Sequence, residues 1–302
     1  MPKELTKDDI LRLKMVKRLD ENFDKTNEND LFNKLDKRYP NRGTLSVICY
    51  SLKKAFALDE DDTKAEYWAN KGAELTKEVN KQEYKNELVG DNEKKKWKTQ
   101  KEVLEIMEKI KTNMKNRTDM NRFILLSLMT YQPPLRKDFY LNLKFLFDIK
   151  KNNKKDNYLY LVKKPINKAF FIVNNDKVSK YTETFDKDEN KVIEITNKDL
   201  ISMLWKNYEN DKQYLKREYV FMSSDGNKYN TNTFTRVLLD PIKLNFNTLR
   251  SSYISDFYVK NPYPQERNEL ARQMRNSMNI AQMKYLKRED KIGERIKDED
   301  QK

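Results

Sequence analysis

From Leu45 the apolar positions fall at Leu45, Ile48, Cys49, Leu52 and Phe56, a three- and four-residue spacing that traces one helical face. Ala65, Trp68, Gly72, Leu75 and Val79 repeat it, with Gly72 a weak spot for a helix. An earlier segment around Leu31, Phe32 and Leu35 predicts a further helix that ends near Pro40 and Gly43. Lys53, Lys54 and Lys71 fall off these stripes, so they form either a solvated face or one turned to a polyanion.

Past Trp97, Val103, Ile106, Met107, Ile110 and Met114 share a face, and Phe123 to Met129 is apolar enough to be a buried helix. After Pro133-Pro134 the period changes. The runs LKFLFDI, NYLYLV, KAFFIV and KVIEI are short, rich in aromatic and β-branched residues and separated by polar turns, which predicts a small antiparallel sheet. From Asp199 the pattern returns to helix and stays helical to the end. Asn86 to Lys98, with Gly90 and a Lys run, reads as a basic linker. The predicted class is α+β: an all-helical domain over 1–90, a linker over 91–99, and a mostly helical domain with the sheet over 100–302.

Composition narrows the chemistry. The formal charge of +14, from 62 Lys and Arg against 48 Asp and Glu, favours a polyanionic partner. No histidine occurs, which removes Ser-His and Cys-His nucleophile pairs, and a single Cys49 leaves no intramolecular disulfide and no Cys/His zinc set. Five glycines and no glycine-rich phosphate loop argue against a nucleotide-binding fold, so no cofactor and no metal are expected. The lone thiol, the absence of a signal-like N-terminus and the short apolar runs predict an intracellular protein without a membrane span. Catalysis, if any, runs on Lys, Arg, Tyr, Asp, Glu, Asn or Ser.

Three local patterns stand in order: Pro134-Leu135-Arg136-Lys137-Asp138-Phe139-Tyr140-Leu141-Asn142, with an Arg at the turn into a short helix; Asn247-Thr248-Leu249-Arg250; and Leu270-Ala271-Arg272 onward to Asn276 and Tyr285. Together they resemble the tyrosine recombinase family, the phage-type integrases and their viral and transposon relatives. The resemblance aligns Arg136 with that family's Leu-Arg turn, Arg250 with the Arg of its His-x-x-Arg box, and Tyr285 with its nucleophile. Asn276 stands nine positions ahead of Tyr285, where the family has His or Trp. Lys177, with Lys180 as its rival, sits at the sheet turn where the family's catalytic Lys is expected.

The resemblance implies a site-specific recombinase or integrase that cleaves and rejoins double-stranded DNA through a 3′-phosphotyrosine. Tyr285 attacks, Arg136 and Arg250 hold the phosphate, Lys177 protonates the leaving 5′ oxygen, and Asn247 and Asn276 donate hydrogen bonds. It also implies a homotetramer assembled on DNA and a core-binding role for the N-terminal helices. Asn replaces His at both 247 and 276, and Asn donates but cannot take a phenol proton at neutral pH. Lys287 to Lys302 is almost wholly charged, which disfavours exchange of an apolar tail between subunits. A type IB topoisomerase and a DNA-binding protein of the same fold without turnover are the alternatives.

Overall fold

The computed structural model describes residues 4–83, 96–163, 167–175, 192–211, 218–261, 263–275 and 281–287. The chain divides into two compact units, Met1–Lys85 and Asn86–Lys302.

The first unit is all helix: α1 (Lys7–Leu19), α2 (Glu28–Arg38), α3 (Arg42–Leu58) and α4 (Asp62–Glu83). Its core gathers Leu31, Leu35, Leu45, Ile48, Cys49, Leu52, Phe56, Ala65, Trp68 and Leu75, the positions marked by the helical stripes, and adds Val16. Pro40 stands at the break between α2 and α3, whereas Gly43 lies inside the first turn of α3. Gly72 serves a purpose that periodicity does not reveal. A Cβ there would stand 3.1 Å from the Tyr50 ring, and the Gly72 carbonyl accepts from Ser46 Oγ at 3.1 Å, so its lack of a side chain lets α3 and α4 approach closely. Among the described residues of this unit, one carboxylate is buried. The Asp9 carboxylate is 2% exposed and accepts from Thr6, Ser51 and Lys54. Burial alone would push its pKa up, but the Lys54, Thr6 and Ser51 hydrogen bonds outweigh it and hold the pKa far below the usual carboxylate range.

The second unit begins with α5 (Gln100–Thr112), started by a Thr99–Glu102 capping box, and the buried α6 (Arg117–Thr130). Just before α5, Trp97 is 6% exposed, Lys96 pairs with Asp240 at 3.0 Å, and the Lys98 carbonyl accepts from Ser252. The end of the Lys-rich stretch is therefore packed onto this unit. The short α7 (Lys137–Leu141) leads into the sheet.

The four strands fall on the four apolar runs: β1 (Lys144–Leu146), β2 (Tyr158–Val162), β3 (Lys168–Ile172) and β4 (Val192–Ile195), in the order β1-β2-β3-β4. The sheet is mixed rather than wholly antiparallel, because β1 runs parallel to β2 with Phe145 opposite Leu159. Residues 147–157, including a 3₁₀ turn at Ile149–Lys151, carry the chain back so that β2 starts at the same end as β1. The remaining pairs are antiparallel, with Leu159 opposite Phe171 and Phe171 opposite Ile193.

Helix resumes at α8 (Lys198–Asp211), but the segment from Tyr219 to Tyr229 departs from the helical expectation. It folds back through isolated bridges, Lys144 with Tyr219 and Met222 with Lys228, around Ser-Ser-Asp-Gly, where Gly226 takes φ 76°. Then follow α9 (Thr231–Leu238), a 3₁₀ turn (Asp240–Ile242), α10 (Phe246–Lys260), α11 (Pro264–Gln273) and a π turn (Ala281–Tyr285). Helix α10 is the axis of the unit, buried along most of its length from Phe246 to Tyr258. Helices around a small sheet make the α+β class plain. Among the described residues, no helix is long and apolar enough to cross a membrane.

Candidate active site

Arg136 occupies the N-cap of α7 in an extended conformation, φ −78° and ψ 158°, so its side chain leaves the chain just where the backbone turns. A buried tyrosine fixes this turn: Tyr140, one turn into the helix, accepts the Leu135 N–H on its hydroxyl at 3.0 Å. The same ring stacks on Phe246 at 6.1 Å and an interplanar angle of 24°. Phe246 in turn stacks on Phe234 at 5.7 Å. These three rings tie the Arg136 turn, helix α9 and the start of α10 together.

Helix α10 begins with an Asn245–Thr248 capping box, which satisfies the first free N–H groups and sets the register of the helix. In that register Asn247 is exposed in the first turn and Arg250, three residues on, lies on the same side. Arg250 is 2% exposed, and among the described residues its Nε and Nη2 have no hydrogen-bond partner. Burial lowers its pKa, the nearby Tyr285 pushes the other way, and the Arg136 charge adds to the lowering. Buried donors without a protein partner are uncommon, and a bound anion would satisfy them with charge-assisted hydrogen bonds.

Tyr285 ends the π turn at Ala281–Tyr285, closed by the five-residue bond from Leu286 N–H to the Ala281 carbonyl at 3.1 Å. Such widened turns are uncommon and recur at functional sites. The turn is pinned to α10 twice. Lys287 N–H donates to Ser255 Oγ at 2.8 Å, and Tyr285 and Leu286 pack on a small core of Ile254, Tyr258, Leu270, Ala271, Met274 and Ala281. The result places the Arg250 guanidinium 4.6 Å from the centre of the Tyr285 ring.

Arg136, Asn247, Arg250 and Tyr285 line one cleft of about 440 Å³. Four of the six residues expected to carry chemistry are thus together, although their sequence positions span half the chain. The other two, Lys177 and Asn276, lie outside the described residues, as does Lys180. Sequence reasoning gave no role to Lys137, Asp138, Asn142 and Thr231, which line the same cleft. Lys137, Asp138 and Asn142 stood inside a recognised pattern without a role of their own; Thr231 carried no local signal, because only the fold brings α9 against the Arg136 turn. Asp138 stands 3.8 Å from Arg136 Nε and partly offsets its charge. Among the described residues, no group of three His, Cys, Asp or Glu side chains is placed to hold a metal ion.

Chemically, the cleft offers two forked donors, two amides, an ammonium and a phenol around one space, with the Asp138 carboxylate as its one anionic group. That arrangement suits a tetrahedral oxyanion held beside a phenolic nucleophile. No family model matches the chain, and no curated protein is significantly similar to it. Among solved structures, a crystal structure of XerA recombinase aligns over 95% of this chain and 98% of that one, with 13% identity and a TM-score of 0.43.

Proposed function

We propose that the protein breaks and rejoins DNA strands as a tyrosine recombinase, with Tyr285 as nucleophile and Arg136, Arg250 and Asn247 holding the scissile phosphate. The observation that carries this reading is the buried Arg250 guanidinium, unpaired at Nε and Nη2 and 4.6 Å from the Tyr285 ring. A phosphodiester entering the cleft reaches those donors once the Tyr285 ring slides off the guanidinium it now covers, and the phenol oxygen then lies beside the phosphorus. The phenol oxygen attacks phosphorus, the bond to the 5′ oxygen breaks, and the product is a 3′-phosphotyrosine and a free 5′ hydroxyl. The phenol proton leaves to solvent, since no imidazole is present. Lys177 is the proposed donor of the proton to the 5′ oxygen, and Asn276 the second amide donor. The net charge of +14 agrees with a DNA partner, and assembly of four copies on two DNA sites belongs to the same proposal.

The test is a nicked suicide duplex incubated with the protein and resolved under denaturing conditions. A covalent adduct is expected with the natural chain and none with Tyr285→Phe. Strand exchange between two duplexes then selects a recombinase over a topoisomerase. An adduct that persists in Tyr285→Phe overturns the assignment of the nucleophile. Unimpaired DNA binding without any adduct selects a binding protein.

A further inference from the structure

Lys137 is the third cation of the cleft. Its ammonium donates to the Thr231 carbonyl at 2.5 Å, and among the described residues no carboxylate lies within ion-pair distance of it. This sets it apart from Lys54, Lys96 and Lys144, each held by at least one carboxylate at 3.0 Å or less. A carbonyl uses one of three ammonium protons and leaves the charge uncompensated. Partial burial lowers the Lys137 pKa, and the more distant Asp240 carboxylate, already paired with Lys96, only partly opposes it.

The charge balance of the cleft points the same way. Arg136, Lys137 and Arg250 face one carboxylate, Asp138, which leaves two positive charges in excess. One phosphodiester carries one negative charge, so the scissile phosphate on the two arginines neutralises half of that excess. We infer that Lys137 grips a second backbone phosphate of the same DNA, next to the scissile one, with the Thr231 carbonyl fixing the ammonium toward it. This rests on the recombinase reading for the identity of the polyanion. It adds that the cleft takes a strand over at least two consecutive phosphates, not an isolated phosphate group.

Counterion release provides the readout, because each phosphate neutralised on duplex DNA adds about 0.9 to the slope of log affinity against log salt. The affinity of the Tyr285→Phe chain for a 30-base-pair duplex of arbitrary sequence is measured across a salt series, with and without Lys137→Gln. The slope is expected to fall by about 0.9 and the affinity at 0.1 M salt to weaken roughly eightfold, while Lys137→Arg keeps the slope of its parent. Equal slopes for Lys137→Gln and its parent overturn the inference, as does a duplex that fails to bind at all. Thermal melting of the three chains checks that the cleft is intact; if Lys137→Gln does not fold, the Lys137→Met chain takes its place with the same expectation. The adduct assay with Tyr285 restored separates the two failures: an adduct together with equal slopes overturns the Lys137 contact and leaves the recombinase reading standing.

Discussion

Replacing Arg250 by Met is expected to make the protein more stable and inactive at once. Arg250 is 2% exposed, and Nε and Nη2 find no partner among the described residues. Each buried unmade hydrogen bond costs about 1–3 kcal/mol, so the two donors destabilise the free protein by about 4 kcal/mol at mid-range. Against this stands the contact over the Tyr285 ring at 4.6 Å, worth about 2 kcal/mol in a desolvated setting. The shorter Met side chain also loses some packing, on the order of 1 kcal/mol. The balance favours Arg250→Met by about 1 kcal/mol, which for a unit of this size raises the melting temperature by roughly 2–4 °C. Unfolding in urea avoids the ionic screening that guanidinium salts introduce. With duplex DNA at about a hundred times its dissociation constant the order reverses, because the natural chain gains about 2.7 kcal/mol from binding and the variant gains less. Adduct formation should fall by about 10²- to 10³-fold, the usual effect of removing one preorganised donor to a transition-state oxyanion. A variant less stable than the natural chain by more than about 1 kcal/mol without DNA refutes the reasoning, since Arg250 would then be a structural group rather than an unfilled phosphate site.

Other expectations are simpler. Cleavage under single-turnover conditions should show no step in rate between about pH 6 and pH 7, where an imidazole would titrate, because the chain has no histidine; a clear titration there contradicts the assigned site. Asp9, whose folded pKa lies below the unfolded value, stabilises the first unit above about pH 4 and loses that contribution as pH falls further. Asp9→Asn should therefore cost about 2 kcal/mol at pH 7 and much less at pH 2, followed in the full chain by Trp68 fluorescence with Trp97 and Trp205 changed to Phe. Gly72→Ala gains about 1 kcal/mol of helix propensity but forces a methyl to 3.1 Å from the Tyr50 ring. We expect a net loss of about 1 kcal/mol in urea unfolding, reversed when Tyr50→Leu is added; a stabilised single variant would mean that the ring yields freely.

The parts of this molecule that sequence made legible are those fixed by local chemistry. Helical stripes such as Leu45–Phe56 and the four β-rich runs marked the elements, because burial of one face demands that period. The Arg136 turn was legible because a helix N-cap followed by an apolar pair is a local arrangement. The parallel pairing of β1 with β2 was not, since direction depends on how residues 147–157 return, and no periodicity encodes that. The fold-back between Tyr219 and Tyr229 was read as helix because its apolar residues Tyr219, Val220, Phe221 and Met222 adjoin a helical run on either side. Gly72 looked like a defect when judged by propensity alone, and only the facing Tyr50 ring gives its reason. The roles of Thr231 and Lys137 required the contact between α9 and the Arg136 turn, which is a property of three-dimensional packing.

The stack of Tyr140, Phe246 and Phe234 has a consequence for how such a site can change over evolution or by design. These rings contribute no charge to the cleft, yet each belongs to a different cleft-forming segment, so they work as a chassis on which polar groups are mounted. Geometry and electrostatics are thereby held in separate sets of residues. On the proposed reading, substitutions at Lys137 can retune how tightly a strand is gripped without moving the frame. A change in any one ring, by contrast, shifts all three segments together. Change in the strength of the grip should therefore accumulate at the mounted side chains and leave the chassis alone.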